Sequence, residues 1–266
     1  MYRFSLALLI TIIAIVFVIP FFYTVSPYDL DATKILQPPS LEHLMGTDRL
    51  GRDIFARVLQ GGQTSILIGF LSALIASFIG LIVGITAGYF RGAYDKAIVI
   101  LIDLFLTFPT FFLLLTLVSY MDASIFIIII VLFITGWMGM ARLIRSESFA
   151  IANKPFIKIL NIAQISKTKI ILKYFTPLLL PIFLISFTFG VGGSILAESG
   201  LSFLGLGINP PQMSWGSLLS NGKEVIEIAW WVSFFPGLFI FLITFCLMQI
   251  ADHLQHKFSQ KSLQTL

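Results

Sequence analysis

With 58% of its 266 residues hydrophobic, 11% charged and a mean hydropathy of +0.97, the chain has too little polar surface to cover a soluble globule of its size. Its formal charge of +4 does not indicate nucleic acid, because the Lys and Arg side chains gather at the ends of apolar runs, where membrane topology requires them. The lone cysteine, Cys246, excludes both a disulfide framework and a thiolate metal cluster, and reads as a small apolar side chain within a span.

Repeated apolar runs near the ~20 residues needed to cross a bilayer predict an all-α polytopic membrane protein with six transmembrane helices. Residues 1–25 are a short N-terminus and a first span, Ser5–Val25, retained because no small-residue cleavage site follows it. Residues 26–65 are an ordered external loop broken by Pro27, Pro38 and Pro39. The transmembrane domain proper occupies 66–250. Its first helix, Ile66–Phe90, carries Ser72, Ala76, Gly80, Gly84 and Gly88 every fourth residue, a stripe on which a neighbouring helix packs closely. A third span, Ala97–Ser119, contains Asp103 and Pro109, and a fourth runs from Ile125 to about Leu143. A loop over about 144–177 separates it from the fifth span, about Leu178–Ala197. The sixth runs from about Trp230 to Ile250, and 251–266 form a tail.

Six spans put both termini on one side. That side holds twelve Lys and Arg residues, seven of them (Arg142, Arg145, Lys154, Lys158, Lys167, Lys169 and Lys173) between Ala141 and Pro177, against five on the other. The positive-inside bias therefore predicts cytoplasmic termini and a cytoplasmic basic loop. Trp230, Trp231, Tyr23, Tyr28 and Tyr120 fall where interfacial rings belong.

Within the basic loop, Asn153 is the expected cap of a helix that has Pro155 in its first turn, and Thr176-Pro177 is expected to end the next one. Lys154, Lys158 and Asn161 share one face, opposite Phe156, Ile159, Leu160 and Ala163. Such an amphipathic segment suits either a partner protein's groove or an anionic lipid surface.

Other motifs are weaker. Gly46–Asp53 has two-glycine P-loop spacing, yet Arg52 and Asp53 replace the required Lys and Ser/Thr, so a nucleotide-driven step needs a separate subunit. Asp103 lies shallowly below the basic side, within reach of Arg91 and Lys96, and reads as structural because no second intramembrane acid, His or Lys continues a proton path. His253 and His256 lack the further ligands a metal needs, and no nucleophile, base and acid assemble into a catalytic set. No catalytic, cofactor or metal site is expected. Glu198, Gly200, Gly205, Gly207 and Trp215 mark a Gly/Pro-rich stretch that either closes an external gate or is a packing element at the membrane surface.

Five stretches taken together resemble the inner-membrane permease subunits of bacterial ABC importers for dipeptides, oligopeptides and nickel: G-T-D-R-L-G-R-D (Gly46–Asp53), Asp103–Pro109, I-L-A-E-S-G-L-S-F-L-G-L-G (Ile195–Gly207), P-P-Q-M-S-W-G (Pro210–Gly216) and A-W-W…F-P-G (Ala229–Gly237). The resemblance covers nearly the whole chain. It implies a second, similar permease forming a heterodimer, two cytoplasmic ABC ATPases, and an extracytoplasmic solute-binding protein. It also implies that the basic loop is the ATPase-docking loop, with Phe156, Ile157, Lys158, Ile159, Leu160, Ala163 and Gln164 at the contact. The family pattern there is Glu-Ala-Ala and, after a spacer, Gly; this chain has Lys158, Ile159, Leu160 and Gln164. A carrier or channel working alone would instead show inverted repeats around midplane charges, and a purely structural subunit would leave transport to its sister.

Overall fold

The computed structural model describes residues 2–121 and 124–264. It is helical, and five of its helices are long and apolar enough to cross a membrane, with a sixth span available from one sharply bent pair.

Helix α1 (Tyr2–Val18) ends before the expected Val25, because Pro20 withdraws a backbone donor and a short 3₁₀ turn over Ile19–Phe21 closes it. Residues 22–53 then fold back against the start of α2 (Ile54–Phe90). Gly46 and Gly51, with φ of 75° and 71°, reverse the chain so that Ile54 N donates to Gly46 O at 3.0 Å. Asp53 caps the new helix by accepting from Ala56 N at 2.7 Å. Helix α2 therefore begins well before Ile66, which corrects the boundary of the expected loop. Arg57, Gln60 and Gln63 make this stretch look loop-like, but it is helical because Asp53 caps it and Ile54 and Val58 are buried in the core.

The third predicted span is not one helix. Pro109 pushes Phe108 into an extended conformation (φ −82°, ψ 136°), splitting it into α3 (Gly92–Thr107) and α4 (Thr110–Ser119), which meet at 82°. The fourth span continues beyond Leu143 as α5 (Ile125–Ala152).

Asn153 caps the end of α5 rather than the start of α6 (Pro155–Ile162), because its amide is drawn back to Phe149 O and its carbonyl receives Arg91 Nη2 at 2.9 Å. Pro177 terminates nothing either. Helix α7 (Lys167–Ile170) passes through a π-helical turn over Ile171–Phe175 into α8 (Thr176–Phe203), the wider turn absorbing the donor that Pro177 lacks. Helix α8 extends past Ala197, so Glu198–Phe203 is helix and not a surface loop. Helices α9 (Trp215–Lys223) and α10 (Trp231–Gln264) complete the chain.

The most extensive helix pair is α2 with α5. A Cβ added at Gly84 would lie 2.7 Å from Ile144 Cβ and 2.8 Å from Ala141 O, so only glycine permits this approach. Gly80 against Met140 and Gly88 against Ser148 repeat the contact one turn away in each direction. Alongside, α3 is tied to α5 by Arg145–Asp95 and Arg142–Asp103 ion pairs. Arg142, not Arg91 or Lys96, therefore answers Asp103, because α3 runs next to α5 while Arg91 faces the end of α5.

Apolar cores close both ends of the bundle. The basic end, which carries α6 and α7, buries Ile144, Ile157, Ile170 and Phe175. The loop end buries Val16, Val58, Trp215 and Val232. Trp231 belongs to this second core and donates to Thr47 O at 3.1 Å, so of the two adjacent tryptophans only Trp230 remains exposed. Tyr23 likewise bonds Asp53, and burial together with that carboxylate raises its phenol above the ordinary range.

Replacing Gly84 by Leu should push α2 off α5, with an overpacking cost of about 1–3 kcal/mol or more. Gly139→Ala, where an added Cβ meets nothing within 4 Å, should cost little. Thermal unfolding of the purified protein in detergent checks the contrast: equal midpoints for the two variants would contradict the packing.

Candidate functional site

At the basic end, α6 is an arm attached through one face. Ile157 is fully buried in the end core, and Tyr89 Oη, on α2, donates to Asn161 Oδ1 at 2.9 Å. Leu160 leans into the same core. The apolar side chains left pointing outward are Ile159 at 63% exposure, Ile162 at 81% and Phe156 at 39%. Lys158, Ala163 and Gln164 are exposed beside them. Of the residues expected at the contact, Ile157 and Leu160 therefore fix the arm to its own chain. Ile162 joins the outward face, and its three-residue spacing from Ile159 and Phe156 was the signal that could have found it.

Gln164 ends the arm in the left-handed region, at φ 55°. Its N–H donates to Asn161 O at 3.1 Å and that of Ile165 donates to Leu160 O at 3.1 Å, the paired bonds of a Schellman turn. The position that carries glycine in the resembled pattern thus keeps the glycine geometry without the glycine. Lys158 and Ile159 stand where the resembled pattern has Glu and Ala, and both are exposed.

Midway along the bundle, a cavity of about 390 Å³ opens between α2, α4, α5 and α8. Its wall mixes small residues (Ala73, Ala76, Gly136, Gly190) and larger apolar ones (Leu114, Leu132, Met140, Phe189) with hydroxyls (Ser77, Thr110, Thr135, Ser186, Ser194), and no charged side chain lines it. Ala76 places the small-residue stripe partly on this wall, while Gly80, Gly84 and Gly88 face α5. The hydroxyls come from four separate helices, and periodicity alone could not have gathered them.

At the loop end, Glu198 is completely buried on α8. Its carboxyl accepts from Ser202 Oγ at 2.6 Å and from Ser65 Oγ of α2 at 3.4 Å. Ser65 Oγ in turn accepts Trp215 N at 3.0 Å, and Trp215 Nε1 donates to Val58 O at 2.9 Å. Ser214, 3.4 Å from Ser202, caps α9 through Ser217 N. Three helices therefore converge on one carboxyl. The approach is so close that a Cβ at Gly207 would fall 1.8 Å from Ser202 Oγ, while Gly205 (φ 81°) closes α8 in a second Schellman turn. Gly200 sits apart from the cluster, against the Phe111 ring of α4. Ser65 was missed because 133 residues separate it from Glu198.

His43 is held by Asp53 at 2.8 Å, and His253 stacks on the Tyr2 ring. Among the described residues, no group of His, Cys, Asp and Glu is arranged to hold a metal ion.

A bundle of spanning helices around an uncharged small-residue groove, with a helical arm exposed at one end, defines a polytopic membrane permease. Residues 80–260 match the family described as "Binding-protein-dependent transport system inner membrane component", and the chain belongs to that family. Its members are permease subunits of ABC importers and are not themselves enzymes. The chain is 35% identical over 259 residues to the oligopeptide transport system permease protein OppC of Haemophilus influenzae, covering 97% of this chain and 83% of that one. It is 36% identical over 225 residues to the dipeptide transport system permease protein DppC of Bacillus subtilis, covering 84% and 70%. Among solved structures, an inward-facing form of the MetNI methionine ABC transporter aligns with a TM-score of 0.58 at 16% identity, over 74% of this chain and 96% of that one, a likeness of fold alone.

Gln164→Gly should relieve the left-handed strain and stabilise the end of the arm by about 1 kcal/mol. Amide exchange at Ile165 should then slow roughly fivefold at ~1.4 kcal/mol per tenfold, with no change in α2. Faster exchange in the variant would show that the glutamine side chain, not the backbone turn, holds the arm.

Proposed function

We propose that this chain is one of two sister permeases in an ATP-driven importer of short peptides, with both termini and the α6 arm in the cytoplasm and residues 22–53 and 204–214 outside. The observation that carries the peptide assignment is the identity shared with oligopeptide and dipeptide permeases over 84–97% of the chain. A wall of small residues and hydroxyls is consistent with it, since such a wall offers hydrogen bonds to a peptide backbone without selecting a side chain. The excess of basic residues at the arm end supports the orientation.

In this reading, cytoplasmic ATPases grip Phe156, Ile159 and Ile162, and the sister permease completes the groove between α2, α4, α5 and α8. A binding protein delivers cargo at the loop end. The arm is joined to the ends of α2, α5 and α8 through the Ile157 core, so movement of the ATPases displaces helices rather than a loose loop. At their far ends α2 and α8 hold α9 through Ser65 and Glu198, which makes that cluster the outer gate's fastening. Opening it exchanges buried hydrogen bonds for others, and each one lost without replacement costs about 1–3 kcal/mol.

Ile159→Asp should weaken ATPase recovery about thirtyfold or more while the permease inserts normally, as loss of an interface anchor worth ~2 kcal/mol would. Lys158→Ala should change it little. Copurification of ATPase decides, and the reverse ranking would favour an arm lying on lipid. Glu198→Ala should lower peptide uptake at equal expression by disordering α9, whereas Glu198→Gln should retain part of it. Wild-type uptake in Glu198→Ala membranes would remove the cluster from the mechanism. Mass spectrometry of the ligand released from the copurified binding protein should find short peptides; a nickel chelate in their place would overturn the substrate assignment.

A further inference from the structure

A second cavity, of about 840 Å³, lies at the loop end between the segment preceding α2 and the turns around α9. Its lip is exposed chain, including Leu30, Leu50, Asn209, Pro211 and Gln212, while its inner wall holds Arg57, only 4% exposed. Three arginines, Arg49, Arg52 and Arg57, line it with one carboxylate, Asp48. That carboxylate is already occupied: Oδ1 accepts Leu50 N at 2.8 Å and Arg52 N at 3.0 Å, and Oδ2 accepts Arg52 Nε at 2.7 Å. Arg57 Nε stands 3.5 Å from the same Oδ2 with no hydrogen-bond partner, and its Nη1 is answered only by the Pro27 carbonyl at 3.0 Å. Arg49 pairs across the cavity mouth with Glu224, on the surface. Arg57 thus shares Asp48 with Arg52, two guanidiniums against one carboxylate, and its buried Nε is left without a hydrogen bond, an arrangement that an added anion would relieve.

We propose that this cavity is a socket for a carboxylate carried on the surface of the binding protein, with Arg57 as its floor and Arg52 as its near wall. The proposal rests on the functional reading above and adds the chemistry by which the partner is recognised. A guanidinium's planar donors match a carboxylate in two-pronged fashion, and the exposed lip makes room for a protruding Asp or Glu. Geometry separates the socket from the substrate groove. Ala197 of α8 lines the groove and Ser202 lines the socket, and five residues place these about 140° apart around the helix. The lip is built from chain outside the spans, which favours a partner seated on the membrane surface over cargo passing through.

The test uses the assembled transporter in lipid nanodiscs and its own binding protein, with association followed by surface plasmon resonance. Arg57→Met and Arg52→Gln should each weaken association by about tenfold or more and flatten its dependence on salt, while Arg57→Lys keeps the charge and most of the affinity. A purely structural role for Arg57 would leave the salt slope of the assembled variant unchanged. If Arg57→Met does not assemble, the partly exposed Arg52→Gln decides alone. Unaltered affinity in either assembled variant overturns the proposal. So does saturable binding of a free dipeptide, without binding protein, that disappears in Arg57→Met, since the socket would then belong to the cargo. Failure of the wild-type transporter to recruit any binding protein overturns the functional reading, and the socket with it.

Discussion

Everything in this bundle depends on how closely α2 and α5 approach. Inside hydrocarbon, apolar side chains gain little by leaving lipid for protein, so two helices hold together through the contact area their backbones allow. Gly80, Gly84 and Gly88 remove the spacers on one side, and the other presents Met140, Ile144 and Ser148 to the gap. The pair then acts as a spine. Helices α3 and α4 lean on α5, α8 leans on α2, and α9 is held mainly by α10 and α8. The groove is the space remaining where the same spine is lined by Ala73 and Ala76 and the partners diverge.

The polar interactions gather at the two ends of the bundle. Ion pairs fasten α3 to α5 toward the basic end, where Arg145 and Asp95 meet through two hydrogen bonds. A hydroxyl network gathers on the buried Glu198 carboxyl at the opposite end. Between them the groove wall carries hydroxyls among small and larger apolar residues, and no charge.

Much of this was legible from the residues. The number of membrane crossings follows from run length, and the α2 stripe follows from its fourfold spacing. Glu198 was legible only as one of the residues marking a Gly/Pro-rich stretch. Boundaries were harder to read, and for one reason. Hydropathy reports where lipid is, whereas helices run on wherever caps and packing permit, as Asp53 extends α2 at its start and Glu198–Phe203 extends α8 at its end. Pro109 and Pro177 show the limit of a residue-type rule: the first breaks a span by 82°, while the second is absorbed by a π turn because a following helix is already in line. Ser202 sits four residues from Glu198 on the same helix, whereas Ser65 and Ser214 carried no local signal, since their meaning comes only from three helices meeting.

Helix α2 has 37 residues, about 55 Å at 1.5 Å per residue, against a hydrocarbon thickness of roughly 30 Å. It is unbroken; Tyr89, next to its last residue, holds Asn161 of the arm, and Ser65, about three turns in from its start, holds Trp215 of α9. No proline interrupts it between the two attachments. In the proposed transporter, a push on the arm would reach the α9 attachment along this one continuous helix.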